Sequence, residues 1–199
     1  MKNKSLLGIR FIWLKLALVA IAIVFFCIAL SGNSLAANRI GAIVFSFILP
    51  FGVDILRLIR INIPADLEFA YLIFLLFAQY LGIDFNAYKW LPHYDKIIHA
   101  VSGVLTIIAG YILAAALKIP TSHKFLDARA LFALYFAITI AFAWECVEFF
   151  ADKVFGMNMQ TLISKGLDDT MLDMIFATIG AILAVLAYKY VFPKLKRKK

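Results

Sequence analysis

Six apolar runs divide the sequence, and their succession leaves very few folds open to it. They cover Phe11–Leu30, Ile40–Ile59, Leu67–Ile83, Ile97–Leu117, Ala128–Phe150 and Thr170–Phe192. A helix needs about 20 apolar residues to cross the hydrocarbon core of a bilayer. Inside lipid every backbone N–H and C=O must be satisfied by protein, and a helix does this locally. The expected fold is all-α: a polytopic membrane protein with six transmembrane helices in one bundle, residues 1–199 forming a single integral membrane domain. Composition agrees, since 64% of the 199 residues are hydrophobic, against roughly 45–50% in soluble domains. No length remains for a separate soluble domain of ordinary size.

Two runs need comment. The second contains Pro50, Gly52 and Asp54 and is expected to be a kinked helix, with neighbouring helices satisfying the freed backbone groups. The first follows Lys2, Lys4 and Arg10, and Ser34-Leu35-Ala36 looks like a signal-peptidase site. A cleavable signal has an apolar core of only roughly 7–15 residues. This run is longer, so a retained span is expected.

The net charge of +8 does not point to nucleic acid, because lysine and arginine cluster at the ends of apolar runs. That placement is the mark of membrane topology. If the N-terminus is cytoplasmic, fifteen of the 20 basic residues fall on the inner side, among them Lys15, Arg57, Lys118 and the tail Lys194–Lys199. Only Arg39, Lys89, Lys96, Lys153 and Lys165 fall outside. Both termini are therefore expected in the cytoplasm of a bacterial cell, with the chain in its inner membrane. The tail reads as an anchor beside anionic headgroups, and membrane lipids are the expected partners. Tyr88, Trp90, Tyr94 and Trp144 fit an aromatic belt at headgroup level.

Cys27 and Cys146 lie within apolar runs and read as small buried hydrophobes rather than a disulfide or a zinc pair. His93, His99 and His123 lack the spacing of a zinc-protease helix.

This orientation brings polar groups of the last three spans to one depth. Asp95 and His99 open the fourth span, Glu145, Glu148 and Asp152 close the fifth, and Asp169 and Asp173 open the sixth. Helical phase puts each group on a face continued by small residues. These faces are His99 with Gly103, Thr106 and Gly110; Glu145, Glu148 and Asp152 with Ala137 and Ala141; and Asp169 and Asp173 with Ala177, Gly180 and Ala184. Small residues mark close approach of membrane helices, so the polar ends are expected to meet in an outward-facing cavity.

Helix capping accounts for Asp95, Asp127 and Asp168, and Asp169 suits the positive end of a helix dipole. Neither accounts for Asp173, one turn deeper, nor for Asp152 near a helix C-terminus, where only Lys153 compensates. Towards the inner face, Asp54 with Arg57 and Arg60 with Asp66 or Glu68 are expected as ion pairs. The segment Lys153–Gly166 is too short to span and is expected on the outer surface, as a loop or flap.

Carboxylates crowded together require a divalent cation, protonation, or neutralisation by Lys96, Lys153 and His99. Oxygen ligands suit magnesium, calcium or manganese, and adding an imidazole admits zinc or iron. The expected metal ligands are His99, Glu145, Glu148, Asp169 and Asp173, with His99, Glu145 and Glu148 as candidate catalytic groups. Asp95, Lys96 and Asp152 stand behind them as supporting residues. Three functions fit: a metal-assisted enzyme on an outer-leaflet lipid or envelope precursor; a non-enzymatic binder or transporter of a cation, proton or lipid headgroup; or a structural membrane protein with a satisfied polar network.

The segments Tyr94–His99, Trp144–Glu148 and Asp168–Met174, followed by Gly180–Ile182, resemble the YjdF-like group of predicted bacterial membrane proteins. A weaker resemblance is to the VanZ-like proteins, with their Asp-Lys pair and following His, a mid-membrane Glu, and an Asp-x-x-x-Asp start to a last helix. The resemblance covers Trp90–Leu186 and falls on Asp95, Lys96, His99, Glu145, Glu148, Asp169 and Asp173. Glu148 stands where the VanZ pattern has Gln, and Lys165-Gly166 where the YjdF pattern has Gln-Gly. No reaction is implied. The VanZ link to glycopeptide resistance suggests a cell-envelope role by analogy alone.

Overall fold

The computed structural model describes residues 9–32, 40–58, 60–120, 127–156, 159–160 and 167–191. Lys2, Lys4, Ser34-Leu35-Ala36, Arg39, His123, Lys124, Lys165, the tail from Lys194 and most of the expected flap lie outside these residues. Among the described residues every regular element is a helix. They are α1 (Ile12–Leu30), α2 (Ile40–Ile48), α3 (Gly52–Leu58), α4 (Ala65–Leu75), the short α5 (Ala87–Trp90), α6 (Tyr94–Ala116), α7 (Ala128–Phe155) and α8 (Leu167–Leu186). A wider π-helical stretch continues α4 through Leu76–Asp84, and another continues α8 through Ala187–Val191.

Among the described residues five helices are long and apolar enough to cross a membrane: Ile12–Leu30, Ala65–Asp84, Tyr94–Ala116, Ala128–Val154 and Leu167–Lys189. No more than 33% of any of them is buried within the chain. Large apolar side chains such as Trp13, Leu30, Tyr135, Phe142 and Leu183 point outwards. So much exposed apolar surface needs lipid, not water, around it. Cys27 and Cys146 share this outward exposure, which corrects the expectation that they are buried.

The expected sixth span is not one helix among the described residues. A 3₁₀ turn at Leu49–Phe51 separates α2 from α3, and the cause is Pro50. Proline has no N–H to offer the carbonyl four residues earlier, which is that of Ser46. The Tyr80 hydroxyl donates to that carbonyl instead, at 2.8 Å. The Tyr71 hydroxyl donates to the carbonyl of Leu49, at 2.9 Å. A neighbouring element thus repairs the break, and the backbone stays right-handed helical at Ile48 and Gly52 on either side of the turn, as a kinked helix would.

The chain divides into two compact units, residues 1–94 and 95–199. In the first, Leu18 and Ala22 of α1 pack against Leu72, Leu75 and Tyr80. A buried charge network lies beside this core. Lys15 and Glu68 are fully buried and bonded at 2.8 Å, and Lys15 also bonds Asp54. Arg57 bonds Asp54 at 2.7 Å and also Glu68, and Arg10 reaches Glu68 at 3.3 Å. The expected pair of Asp54 and Arg57 is present. Glu68 is taken by Lys15, Arg57 and Arg10, not by Arg60 as expected. Lys15, expected only as a marker of topology, is the buried centre of the network.

In the second unit α6, α7 and α8 pack through small residues. Ile107, Ala133, Ala137 and Ala181 form its buried apolar centre. Gly110 lies against Ala133, where an added Cβ would sit 2.8 Å from the Ala133 Cα. Contact between α6 and α8 is tighter. A Cβ on Gly103 would lie 1.9 Å from the carbonyl oxygen of Ala177, and one on Gly180 would lie 1.9 Å from that of Ala100. Backbone meets backbone at both points, so no side chain can yield. Gly180→Ala is expected to force the helices apart and cost about 1–3 kcal/mol, read as a lowered midpoint of thermal unfolding in detergent. An unchanged midpoint would contradict the close contact.

Candidate functional site

The polar ends of α6, α7 and α8 meet in the second unit, with Lys96 at their centre. Its residue is 8% exposed. The Lys96 ammonium donates to Asp173 Oδ1 at 2.6 Å, Asp169 Oδ1 at 2.7 Å and Asp95 Oδ2 at 3.1 Å. It also reaches the backbone carbonyl of Asp169 at 3.3 Å. Asp169 and Asp173 are themselves buried, 5% and 3% exposed. Neutralisation by Lys96, one of the three outcomes open at the start, is therefore part of the site, and Lys96 is its hub rather than a support.

His99, one turn along α6, joins the same group. Its Nε2 is 3.5 Å from Asp95 Oδ1 and 3.6 Å from Asp173 Oδ1. Asp95 was expected to cap α6. It instead lies inside the first turn and turns its carboxylate to Lys96 and His99. Ligand atoms of Asp95, His99 and Asp173 all lie within 4.8 Å of one another. Of the expected metal ligands, His99 and Asp173 belong to this trio, and Asp169 is committed to Lys96.

Glu145 faces the trio from α7. It is only 4% exposed, and among the described residues neither carboxylate oxygen has a completed hydrogen bond. The Thr170 hydroxyl stands near it without completing one. Its charge interacts with those of His99 and Asp173, so it stands near the trio, outside the three grouped ligand atoms. A buried carboxylate without donors is among the most unfavourable groups a protein can hold.

Glu148 and Asp152, further along α7, have partners of their own. Glu148 accepts from Trp144 Nε1 at 2.7 Å, a bond one turn apart on α7. Asp152 accepts from the backbone N–H of Met159 at 2.6 Å and of Gln160 at 3.0 Å. Lys153 is not its counter-charge, and lies over the Phe149 ring at 5.7 Å. The buried Gln160 side chain in turn donates to Thr170 Oγ1 at 3.3 Å. Gln160 and Thr170 were missed in the sequence. Thr170 sits between Asp169 and Asp173, and only its spacing could have flagged it.

Asp127 caps α7 as expected, accepting from the Arg129 N–H at 3.0 Å. Asp168 is exposed in the first turn of α8 and takes no part in the site.

Comparison with known proteins gives a family but no reaction. A family model described as "Predicted membrane protein (DUF2238)" matches residues 11–194. An uncharacterized protein of Thermotoga maritima is 33% identical over 115 residues, which is 55% of this chain and 55% of that one. The match thus spans about half the length of this relative. No solved structure matches. None of these findings supports the VanZ-like resemblance.

A buried, unpaired carboxylate persists where function needs it, at the expense of stability. Glu145→Met keeps the approximate volume and removes the charge, and with it the cost of holding that charge away from water. In the presence of chelator this variant is expected to unfold at a higher temperature than the parent. A lower temperature would show that Glu145 has an internal partner.

Proposed function

The chain belongs to the DUF2238 family of predicted membrane proteins, and we propose that it binds a divalent cation within the membrane. Asp95, His99 and Asp173 would hold the ion, and Glu145 would complete the set. The observation that carries this reading is the trio itself, whose ligand atoms lie within 4.8 Å of one another, with the buried Glu145 near it and without a completed hydrogen bond among the described residues. A cation supplies what that carboxylate lacks. Mixed oxygen and imidazole donors suit manganese, iron or zinc better than magnesium or calcium.

The same ion would also serve a metal-assisted reaction on an outer-leaflet lipid or envelope precursor, with His99 as general acid–base. No contact in the site favours catalysis over binding, so binding is the conclusion. The YjdF-like resemblance agrees with the family and adds no chemistry.

Binding of a cation to the folded state alone raises stability, by about 2.7 kcal/mol at 100 times the dissociation constant. Mn²⁺ or Zn²⁺ is therefore expected to raise the thermal midpoint of the purified protein. Asp173→Ala and Glu145→Met should abolish the rise, and metal analysis should show the ion lost. Absence of both metal and thermal shift in the parent protein would sink the reading.

The membrane we infer is the bacterial cytoplasmic one, with both termini inside, a reading that the distribution of basic residues supports. An even number of crossings is then needed, so the interrupted α2–α3 element crosses as a sixth span. The site then lies at the outer end of α6, α7 and α8. The test is labelling of single cysteines placed at Lys4 and Lys198, with Cys27 and Cys146 replaced by serine. Both positions should react only from the cytoplasmic side. One terminus reacting from outside would leave five crossings.

A further inference from the structure

Lys96 occupies part of the place an ion would take. Its ammonium lies 2.6 Å from Asp173 Oδ1, the same oxygen that lies 3.6 Å from His99 Nε2. It also lies 3.1 Å from the Asp95 carboxylate, which faces His99 with its other oxygen. An ammonium and a metal ion cannot both hold Asp173 Oδ1, because like charges so close in a buried site repel strongly. The two remaining contacts of Lys96, Asp169 Oδ1 at 2.7 Å and the Asp169 carbonyl at 3.3 Å, involve no member of the trio. Lysine carries its charge on a flexible four-carbon stem. It can release Asp95 and Asp173 while keeping both acceptors of Asp169.

We propose that Lys96 is a tethered competitor: it fills the Asp95–His99–Asp173 site until a divalent ion displaces it, and Asp169 holds the displaced ammonium. The proposal rests on the cation-binding reading above. A second observation, independent of the acidic cluster, points to a ligand at this place. Glu145, 4% exposed and without a completed hydrogen bond, stays unsatisfied while Lys96 is seated, because none of the lysine's bonds reaches it. An incoming ion would satisfy Glu145 where the ammonium does not. The site therefore has two occupants, one built in and one from outside, and the internal one sets the affinity for the other. Exchange follows from this arrangement: the lysine re-enters as the ion leaves, so the carboxylates are never left bare.

The test uses the full chain in detergent, washed with chelator and titrated with Mn²⁺. Binding is read from loss of the free-Mn²⁺ electron paramagnetic resonance signal. Lys96→Met is expected to tighten Mn²⁺ binding by about tenfold or more, since it removes a like charge from the site. Asp169→Asn should weaken binding several-fold with Lys96 present and change nothing in the Lys96→Met background. Lys96→Gln replaces Lys96→Met if the latter does not fold, as judged by size-exclusion profile and helical circular dichroism. Equal or weaker binding by the Lys96 variant would overturn the proposal and leave the cation-binding reading standing. An Asp169→Asn effect of the same size in both backgrounds would also overturn it, by making Asp169 a direct ligand. No Mn²⁺ binding by parent and variant alike would overturn both.

Discussion

Contact of backbone with backbone between α6 and α8 is the constraint on which the second unit depends. Gly103 against Ala177 and Gly180 against Ala100 hold the two helices closer than any side chain would allow. Membrane helices gain no hydrophobic drive from one another, so such packing is a main source of their association. One turn beyond these contacts, Lys96 on α6 meets Asp169 and Asp173 on α8. A wider separation would leave Asp169 and Asp173 without the ammonium, and Lys96 with Asp95 alone. The small-residue seam and the polar site are therefore one device: the seam sets the distance, and the distance makes the charges tolerable.

Much of that device was legible in the sequence. The faces of His99 and Gly103, of Glu145 and Ala137, and of Asp173, Ala177 and Gly180 follow from helical period alone. The structure brings those faces together. Asp127 as a cap was equally plain, because capping is local. What sequence could not give was pairing among groups of equal plausibility. Lys96 sits next to Asp95 in the chain, which suggests a local pair, yet its shortest contacts lie 73 and 77 residues away. Asp152 looked like an acid at the wrong end of a helix dipole. Its true donors are two N–H groups in the turn after α7, which helical phase cannot reveal. Pro50 marked a kink correctly, but whether a proline bends or breaks a helix is decided by neighbours. Here the Tyr80 hydroxyl satisfies the freed Ser46 carbonyl and the Tyr71 hydroxyl adds a bond to that of Leu49, so a single 3₁₀ turn takes up the change.

The two units offer an internal comparison of buried charge. Each buries one lysine among carboxylates; Lys15 was read from the sequence only as a topological marker, Lys96 also as a support of the acidic cluster. In the first unit Lys15, Arg57 and Arg10 face Asp54 and Glu68, and each carboxylate has at least two basic partners. Cations match or exceed anions, and removal from water is offset by good geometry. Such a network needs nothing from outside, and joining α1, α3 and α4 is sufficient reason for it.

The second unit has the opposite balance. Asp95, Asp169, Asp173 and Glu145 face one lysine and one histidine, and Lys96 bonds only the three aspartates. If stability alone had shaped this place, an apolar residue at 145 would have served better, for a carboxylate there gains no completed bond and is still desolvated. Equal burial and similar residue types thus yield one network that is closed and one that is short of positive charge. The shortage, not the acidity, separates a binding site from a structural clamp. It falls at Glu145, the point the built-in ammonium does not reach.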